Sequence, residues 1–210
     1  MINILVTDDH PIVRNGLKLI LSDEPDMKVV CEASNGLDAL AKLKANKVDV
    51  VILDISMPGM SGLEVLVQIR NLYPELPVLM LSVLSEEVFA AKTLKAGASG
   101  FIHKESIPEE LVRAVRKVAA GGLYISSYLA EKLAGDMKAP VTKVLHENLS
   151  FREFQIMCMI AAGKTLTEIG ESLCISVKTV STYRARLLEK MNLKNNSELT
   201  SYCMKEGLVE

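Results

Sequence analysis

Apolar and polar positions follow two alternating rhythms over the first 120 residues. Short apolar runs occur at Ile2–Val6, Lys28–Ala33, Asp49–Leu53, Val78–Leu81 and Gly100–His103; their length predicts strands, and the unbroken ones, such as Val50–Leu53, predict burial on both faces. Between the runs, apolar residues fall at helical spacing. These segments are Pro11–Leu21 (Ile12, Leu17, Ile20, Leu21), Gly36–Lys47 (Leu37, Leu40, Leu43), about Ser61–Leu72, Glu86–Ala96, and Pro108–Ala120 (Leu111, Val115, Val118). Pro11 suits the first turn of its helix. Five strand–helix units with short connections predict an α/β fold: a doubly wound, five-stranded parallel sheet covered by helices on both faces.

In such a sheet the reactive groups gather outside the carboxyl ends of the strands, near the point where strand order reverses. Strand one ends in Asp8 and Asp9, strand three in Asp54, strand four in Ser82 and strand five in Lys104. The centre is Val48–Pro58, V-D-V-V-I-L-D-I-S-M-P, a buried run that delivers one carboxylate. A charge in such a setting is costly without a partner. Three carboxylates at one edge repel one another unless a cation joins them. Oxygen ligands with no histidine or thiolate nearby select Mg²⁺ over zinc. Asp9 and Asp54 are the expected direct ligands, Asp8 acts through a water, and the Ser56 carbonyl is close enough to join. Asp54 is also the candidate nucleophile, because a carboxylate can form an acyl phosphate. Lys104 supplies a point charge for phosphoryl oxygens and Ser82 a hydrogen bond. Each residue alone reads as a solvated loop position; together they point to phosphoryl transfer. His10 reads as a loop residue beside the acidic pair.

Past Ala120 the pattern loosens. Gly121–Gly122 closes the fifth helix, Ser126 or Ser127 can cap a short helix through Leu133, and Gly135–Pro140 reads as linker. The expected organisation is a first domain over 1–120, a linker with a short helix over 121–146, and a smaller all-α domain over 147–210. In the last, Ser150 and Glu153 form a capping-box pattern opening a helix to Ala162. Thr165 caps a second helix through Leu173, Ser176 a third from Val177 to about Met191, and Asn195, Asn196 or Ser197 begins a fourth. Two short-linked helices, the second longer and basic, suggest helix-turn-helix.

With 210 residues and a net charge of −2 the chain is not a globally basic nucleic-acid binder, but a local patch remains open. Glu147–Glu210 is neutral overall, with eight basic and eight acidic residues. Between Ser176 and Lys194, however, Lys178, Arg184, Arg186, Lys190 and Lys194 face a single acid, Glu189. That concentration fits phosphate contact. At 100° per residue Val177, Val180, Leu187, Leu188 and Met191 form a core stripe, with Lys178, Thr182 and Ala185 opposite and Thr179, Ser181 and Arg186 on the flanks. Ser and Thr can hydrogen-bond base edges and Ala185 can touch a thymine methyl. Thr179, Tyr183, Arg186 and Lys190 are better placed for phosphates, and Arg184 is expected to snorkel to a phosphate or pair with an acid. The chain has no run of 18 apolar residues, and its start lacks a basic region and a cleavage site. A cytosolic protein without a membrane partner is therefore expected. The four cysteines show no C-x-x-C and read as small buried apolar residues.

The first half resembles a response-regulator receiver domain, through Asp8-Asp9, D-x-x-M-P at Asp54–Pro58, Leu81-Ser82 and G-A-S-G-F-I-H-K at Gly97–Lys104. The second resembles the LuxR-type DNA-binding domain, through Leu149-Ser150-x-Arg152-Glu153, Gly163, Glu168-Ile169 and Ile175–Tyr183. The whole chain is similar to the NarL/FixJ response regulators. The resemblance implies a flavodoxin-like receiver, phosphorylation of Asp54 by a sensor histidine kinase, and a switch in which Ser82 moves toward the phosphoryl group and Phe101 turns inward. It also implies binding to double-stranded DNA as a homodimer formed on phosphorylation or on DNA, with RNA polymerase a further candidate partner. Gly170 stands where the family usually has alanine, which should weaken that helix by at most about 1 kcal/mol. Ser181 and Tyr183 replace a common Lys and His. Two other readings stay open: a Mg²⁺-dependent phosphohydrolase, and a phosphorylation-independent DNA-binding regulator whose receiver serves as a dimerisation module.

Overall fold

A computed structural model describes residues 1–83, 86–126 and 145–209. The chain divides into two compact units, Met1–Ala139 and Pro140–Glu210.

The first unit alternates strand and helix: β1 Ile2–Thr7, α1 Pro11–Ser22, β2 Met27–Ala33, α2 Gly36–Ala45, β3 Val50–Asp54, α3 Gly62–Leu72, β4 Val78–Ser82, α4 Glu86–Lys95, β5 Gly100–His103 and α5 Ile107–Ala119. The five strands form one parallel sheet in the order β2-β1-β3-β4-β5. All five residues of β3 and of β4 are buried, as continuous apolar runs require. One core cluster joins Ile4, Val6, Val50, Ile52, Leu79, Leu81 and Ile102 of the strands to Leu17 and Leu21 of α1 and Leu111, Val115 and Val118 of α5. β1 turns to β2 on one side and the chain then continues into β3 on the other, so order reverses between β1 and β3. A crevice at their carboxyl ends follows from the topology.

The helix starts are chemically marked. Ser61 and Glu64 cap α3 reciprocally, the Ser61 N–H donating to Glu64 Oε2 at 2.8 Å, and Asn35 Oδ1 accepts from the Asp38 N–H at 2.9 Å. Gly62, first in α3, lies so close to β3 that an added Cβ would come 2.0 Å from the Asp54 carbonyl oxygen. Ile12 and Leu37, which belong to the apolar spacing of α1 and α2, are 85% and 69% exposed. Both belong to a first turn, where each helix starts beyond the strand ends; α2 turns Gly36, Ala39 and Leu43 inward instead.

The sequence expected a linker from Gly121. At Tyr124, however, the chain is pinned to β5: its N–H donates to the Ser99 carbonyl at 2.9 Å and its carbonyl accepts from the Phe101 N–H at 3.2 Å. The first unit therefore includes residues past Ala120. The predicted short helix from Ser126 or Ser127 to Leu133, and the Gly135–Pro140 linker, fall almost entirely outside the described residues.

The second unit comprises α6 Phe151–Ala161, α7 Leu166–Ser172, α8 Val177–Met191 and α9 Asn196–Lys205. Ser150/Glu153 and Thr165/Glu168 are full capping boxes, and Ser176 and Asn195 cap the last two helices. Phe154, Met157, Ile169, Val180, Leu187, Leu199 and Cys203 are among its buried apolar residues. The α7–α8 turn runs through Cys174 at φ +50°, and the Ile175 N–H donates to the Gly170 carbonyl at 2.9 Å. At Gly170 a Cβ would lie 2.8 Å from the Ile175 oxygen, so the glycine lets the turn close tightly on α7. Val177, expected in the core stripe, is 43% exposed because the first helical position overhangs this turn. All four cysteines are free thiols; Cys158 and Cys203 are buried as expected, but Cys31 is half-buried and Cys174, at the tip of the turn, is exposed.

Candidate functional site

The parallel register sets Thr7 opposite Leu53, Asp54 opposite Leu81 and Ser82 opposite His103. The residues that follow β1 and β5, Asp8 and Lys104, therefore arrive beside Asp54. Lys104 Nζ lies 2.7 Å from Asp8 Oδ2 and 3.1 Å from Asp54 Oδ1, although neither approach has the alignment of a hydrogen bond. Both carboxylates are buried, Asp8 at 0% and Asp54 at 1% exposure. Asp9 is more open; its Oδ1 lies 2.9 Å from His10 Nδ1, which also stands 3.3 Å from Asp8 Oδ1. The His10 N–H donates to Asp8 Oδ1 at 2.8 Å, and Arg14 donates to the Asp8 carbonyl at 2.7 Å. These bonds fix the loop that carries the acidic pair.

The electrostatics follow from this packing. Burial pushes the Asp54 carboxyl up to about 6; Lys104 pulls it down, the neighbouring Asp8 pushes it up, and the Ser56 N–H lowers it again. Burial works against the charge on Lys104, but Asp54 and Asp8 together outweigh it and raise its pKa. Ser82 is fully buried at the end of β4, and Phe101 is buried in β5 at 1% exposure. Ser56 lies half-buried just past Asp54.

The three carboxylates suit Mg²⁺, but the expectation of a set with no histidine nearby does not hold, because His10 stands among them. One ligand atom each from Asp8, Asp9, His10 and Asp54 can lie within 4.8 Å of one another. Asp8 Oδ2 and Asp54 Oδ1 are buried and met by the Lys104 ammonium, and Asp9 Oδ1 by the His10 ring; three carboxylates gathered this closely fit a hard cation. His10 is the member that sequence reasoning set aside; its ring reaches the carboxylates because the Asp8 turn folds it back. Gly62 is a second residue it passed over, and only the distance to the Asp54 carbonyl reveals its part.

In the second unit Lys178, Thr179, Ser181, Thr182, Ala185, Arg186 and Lys190 are exposed along α8, and Tyr183 is half-buried. Several have partners the sequence did not show. Lys190 Nζ lies 2.7 Å from Glu153 Oε2, and that glutamate side chain is only 4% exposed. Burial raises the Glu153 pKa, but the Lys190 and Ser150 hydrogen bonds outweigh it and hold it below the usual value. Arg184 donates to Asn196 Oδ1 at 2.6 Å, an amide where an acid or phosphate was expected. Ser176 and Thr179 pair hydroxyls at 2.8 Å within the cap, and Thr182 donates its hydroxyl to the Lys178 carbonyl at 3.0 Å.

An acidic pocket at the switch point of a flavodoxin-like sheet, on one chain with a four-helix unit carrying a helix-turn-helix, defines a receiver-type regulator. Comparison with known proteins agrees. Residues 4–116 match the response regulator receiver domain, and residues 147–203 match the bacterial regulatory proteins of the luxR family. The chain is 43% identical over 209 residues to the response regulator UvrY of Escherichia coli O6:H1, covering 99% of this chain and 96% of that protein. To the response regulator GacA of Pseudomonas protegens it is 37% identical over 210 residues, covering 100% and 99%. RcsB from Salmonella enterica serovar Typhimurium, solved bound to promoter rprA in the presence of phosphomimetic BeF3⁻, superposes with a TM-score of 0.65 at 25% identity, over 96% of this chain and 98% of that one. The chain belongs to the NarL/FixJ family of response regulators, with a receiver and a LuxR-type DNA-binding domain.

Proposed function

We propose that Asp54 accepts a phosphoryl group from a sensor histidine kinase and that this event controls dimerisation and sequence-specific binding to double-stranded DNA. The observation that carries the reading is the buried pair Asp8 and Asp54 held by one lysine, with Asp9 alongside. An Asp54 oxygen attacks the phosphorus of a phosphohistidine; the new O–P bond forms as the N–P bond breaks and the histidine nitrogen departs with its electron pair. Lys104, released from the two carboxylates, contacts a phosphoryl oxygen as a point charge. The Ser82 hydroxyl donates a hydrogen bond to another, and Phe101 fills the space beneath. Asp9, Asp54 and the Ser56 carbonyl would hold Mg²⁺, with Asp8 in support. When bound, the ion neutralises charge developing on the phosphoryl oxygens.

In the second unit Lys178, Ser181, Thr182 and Ala185 face base edges, while Thr179, Tyr183, Arg186 and Lys190 lie toward phosphates. A single recognition helix reads few bases, so paired half-sites bound by a dimer supply the affinity. The expected setting is the cytoplasm, where the kinase, DNA and RNA polymerase are all accessible; no helix among the described residues is long and apolar enough to cross a membrane. The test is DNA binding by the full chain with and without a small phosphodonor and Mg²⁺, on the wild type and Asp54→Ala. Phosphodonor-dependent tightening in the wild type alone is expected. Equal affinity in all four conditions would leave the receiver as a dimerisation module only.

A further inference from the structure

We infer that α8 reads thymine through methyl groups, with Thr182 and Ala185 forming a small apolar patch for a thymine 5-methyl in the major groove. This deepens the DNA-binding reading above and rests on it. The starting observation is a hydrogen bond. Thr182 donates its only hydroxyl proton to the Lys178 carbonyl four residues back, at 3.0 Å, the back-bonding pattern of helical threonines. With the proton engaged, the hydroxyl can accept but cannot donate to a guanine O6 or N7 or a thymine O4. The geometry at Cβ is staggered, so an oxygen folded back onto the helix leaves the γ-methyl as the projecting group. Ala185, three residues on and therefore its neighbour on the helix surface, presents a second methyl. Both residues are exposed.

The surroundings sharpen the preference. Thr179, the other threonine on this helix, has its hydroxyl paired with Ser176 in the N-terminal cap at 2.8 Å. Lys190 lies on the phosphate side of the helix, its Nζ 2.7 Å from Glu153 Oε2. The polar groups on this face are the Lys178 ammonium and the Glu189 carboxylate, in line with the methyl pair on its two ends, with the Ser181 hydroxyl and the Arg186 guanidinium on the flanks; the carboxylate, which cannot donate to a guanine, adds no preference for G·C beside the methyls. Thymine alone among the bases carries an apolar group in the major groove. A two-methyl patch therefore favours a T·A pair there and offers nothing to a G·C pair.

The test uses the full chain with Mg²⁺ and a small phosphodonor, and as probe the best duplex recovered from a random-sequence pool. Each thymine of that duplex is replaced in turn by deoxyuridine, which removes the methyl and leaves the pairing edge unchanged. One or two positions per half-site should lose about fourfold in affinity, the change expected from one methyl returned to water. Thr182→Val, which keeps the methyl and deletes the hydroxyl, should preserve the thymine-over-uracil ratio. Thr182→Ser, which keeps the hydroxyl and deletes the methyl, should reduce it to unity at one of those positions, with far-UV circular dichroism confirming an intact fold. Indifference to uracil at every position overturns the inference, as does loss of the ratio in Thr182→Val with retention in Thr182→Ser. Recovery of no duplex at all would remove the DNA-binding reading and this inference with it, whereas selection followed by uracil indifference removes the inference alone.

Discussion

Replacing Asp54 by asparagine should make the metal-free receiver more stable. Asp54 is 1% exposed, and burial holds its carboxyl near 6 against 3.8 for the unperturbed group. Its folded-state pKa is raised, so this group's contribution to stability is greatest below pH 3.8 and is lost as pH rises through about 6. At neutral pH, with the group ionised in both states, the fold is less stable by about 3 kcal/mol than with a neutral side chain of the same shape, at about 1.4 kcal/mol per pH unit. The attraction of Lys104 and the repulsion of Asp8 are already contained in that folded-state value, and in the variant Lys104 keeps Asp8 as its partner at 2.7 Å. Hydrogen exchange read by mass spectrometry on the full chain in EDTA resolves this unit from the other. Protection of the β1 and β3 amides should rise by about two orders of magnitude in Asp54→Asn, since each factor of ten is about 1.4 kcal/mol. The gap should shrink as pH falls from 6 toward 4, and Mg²⁺ should stabilise the wild type but not the variant. Equal or lower protection in Asp54→Asn at neutral pH would refute the claim that the carboxylate is held against its own preference.

Three further outcomes follow from the geometry. Lys190→Met removes the counter-charge of the nearly buried Glu153, and after discounting for the half-exposed lysine should cost about 1–2 kcal/mol, read as about 5- to 30-fold faster exchange of the α6 amides. Glu153 has a lowered pKa, so its stabilisation is present above the ordinary carboxylate range and fades as pH falls through the depressed folded value; the gap between wild type and Lys190→Met should close there. Arg186→Ala should weaken binding to all duplexes alike and reduce the slope of log K against log salt by about 1, seen in a salt titration of DNA affinity. Gly62→Ala places a methyl 2.0 Å from the Asp54 carbonyl oxygen; phosphodonor labelling should fall at least about tenfold although no charged group has changed, with circular dichroism checking that the sheet persists.

Much of this site was legible in the chain itself. The four strand ends that carry the site could be named because a parallel sheet turns apolar runs into an ordered row, and the topology rule then brings Asp8, Asp54 and Lys104 together. Periodicity also identified the exposed row of α8, since it depends only on turn angle. It failed where long-range contact decides. Ile12, Leu37 and Val177 sit at the right spacing but in first turns that overhang their cores. Lys190 looked free because its partner lies 37 positions away on α6. Gly62 carries no chemistry, and its importance lies in a backbone approach that no residue pattern encodes. Tyr124 closes on the edge of β5 through backbone groups alone, which the composition of the segment after Ala120 does not announce.

The most direct test of the central claim is the intact mass of the protein after incubation with a small phosphodonor and Mg²⁺. One phosphoryl group should be added to the wild type, mapped to Asp54, and none to Asp54→Ala or to either protein in EDTA. Addition that persists in Asp54→Ala, or that maps to a residue outside the pocket of Asp8, Asp9 and Lys104, would contradict the account.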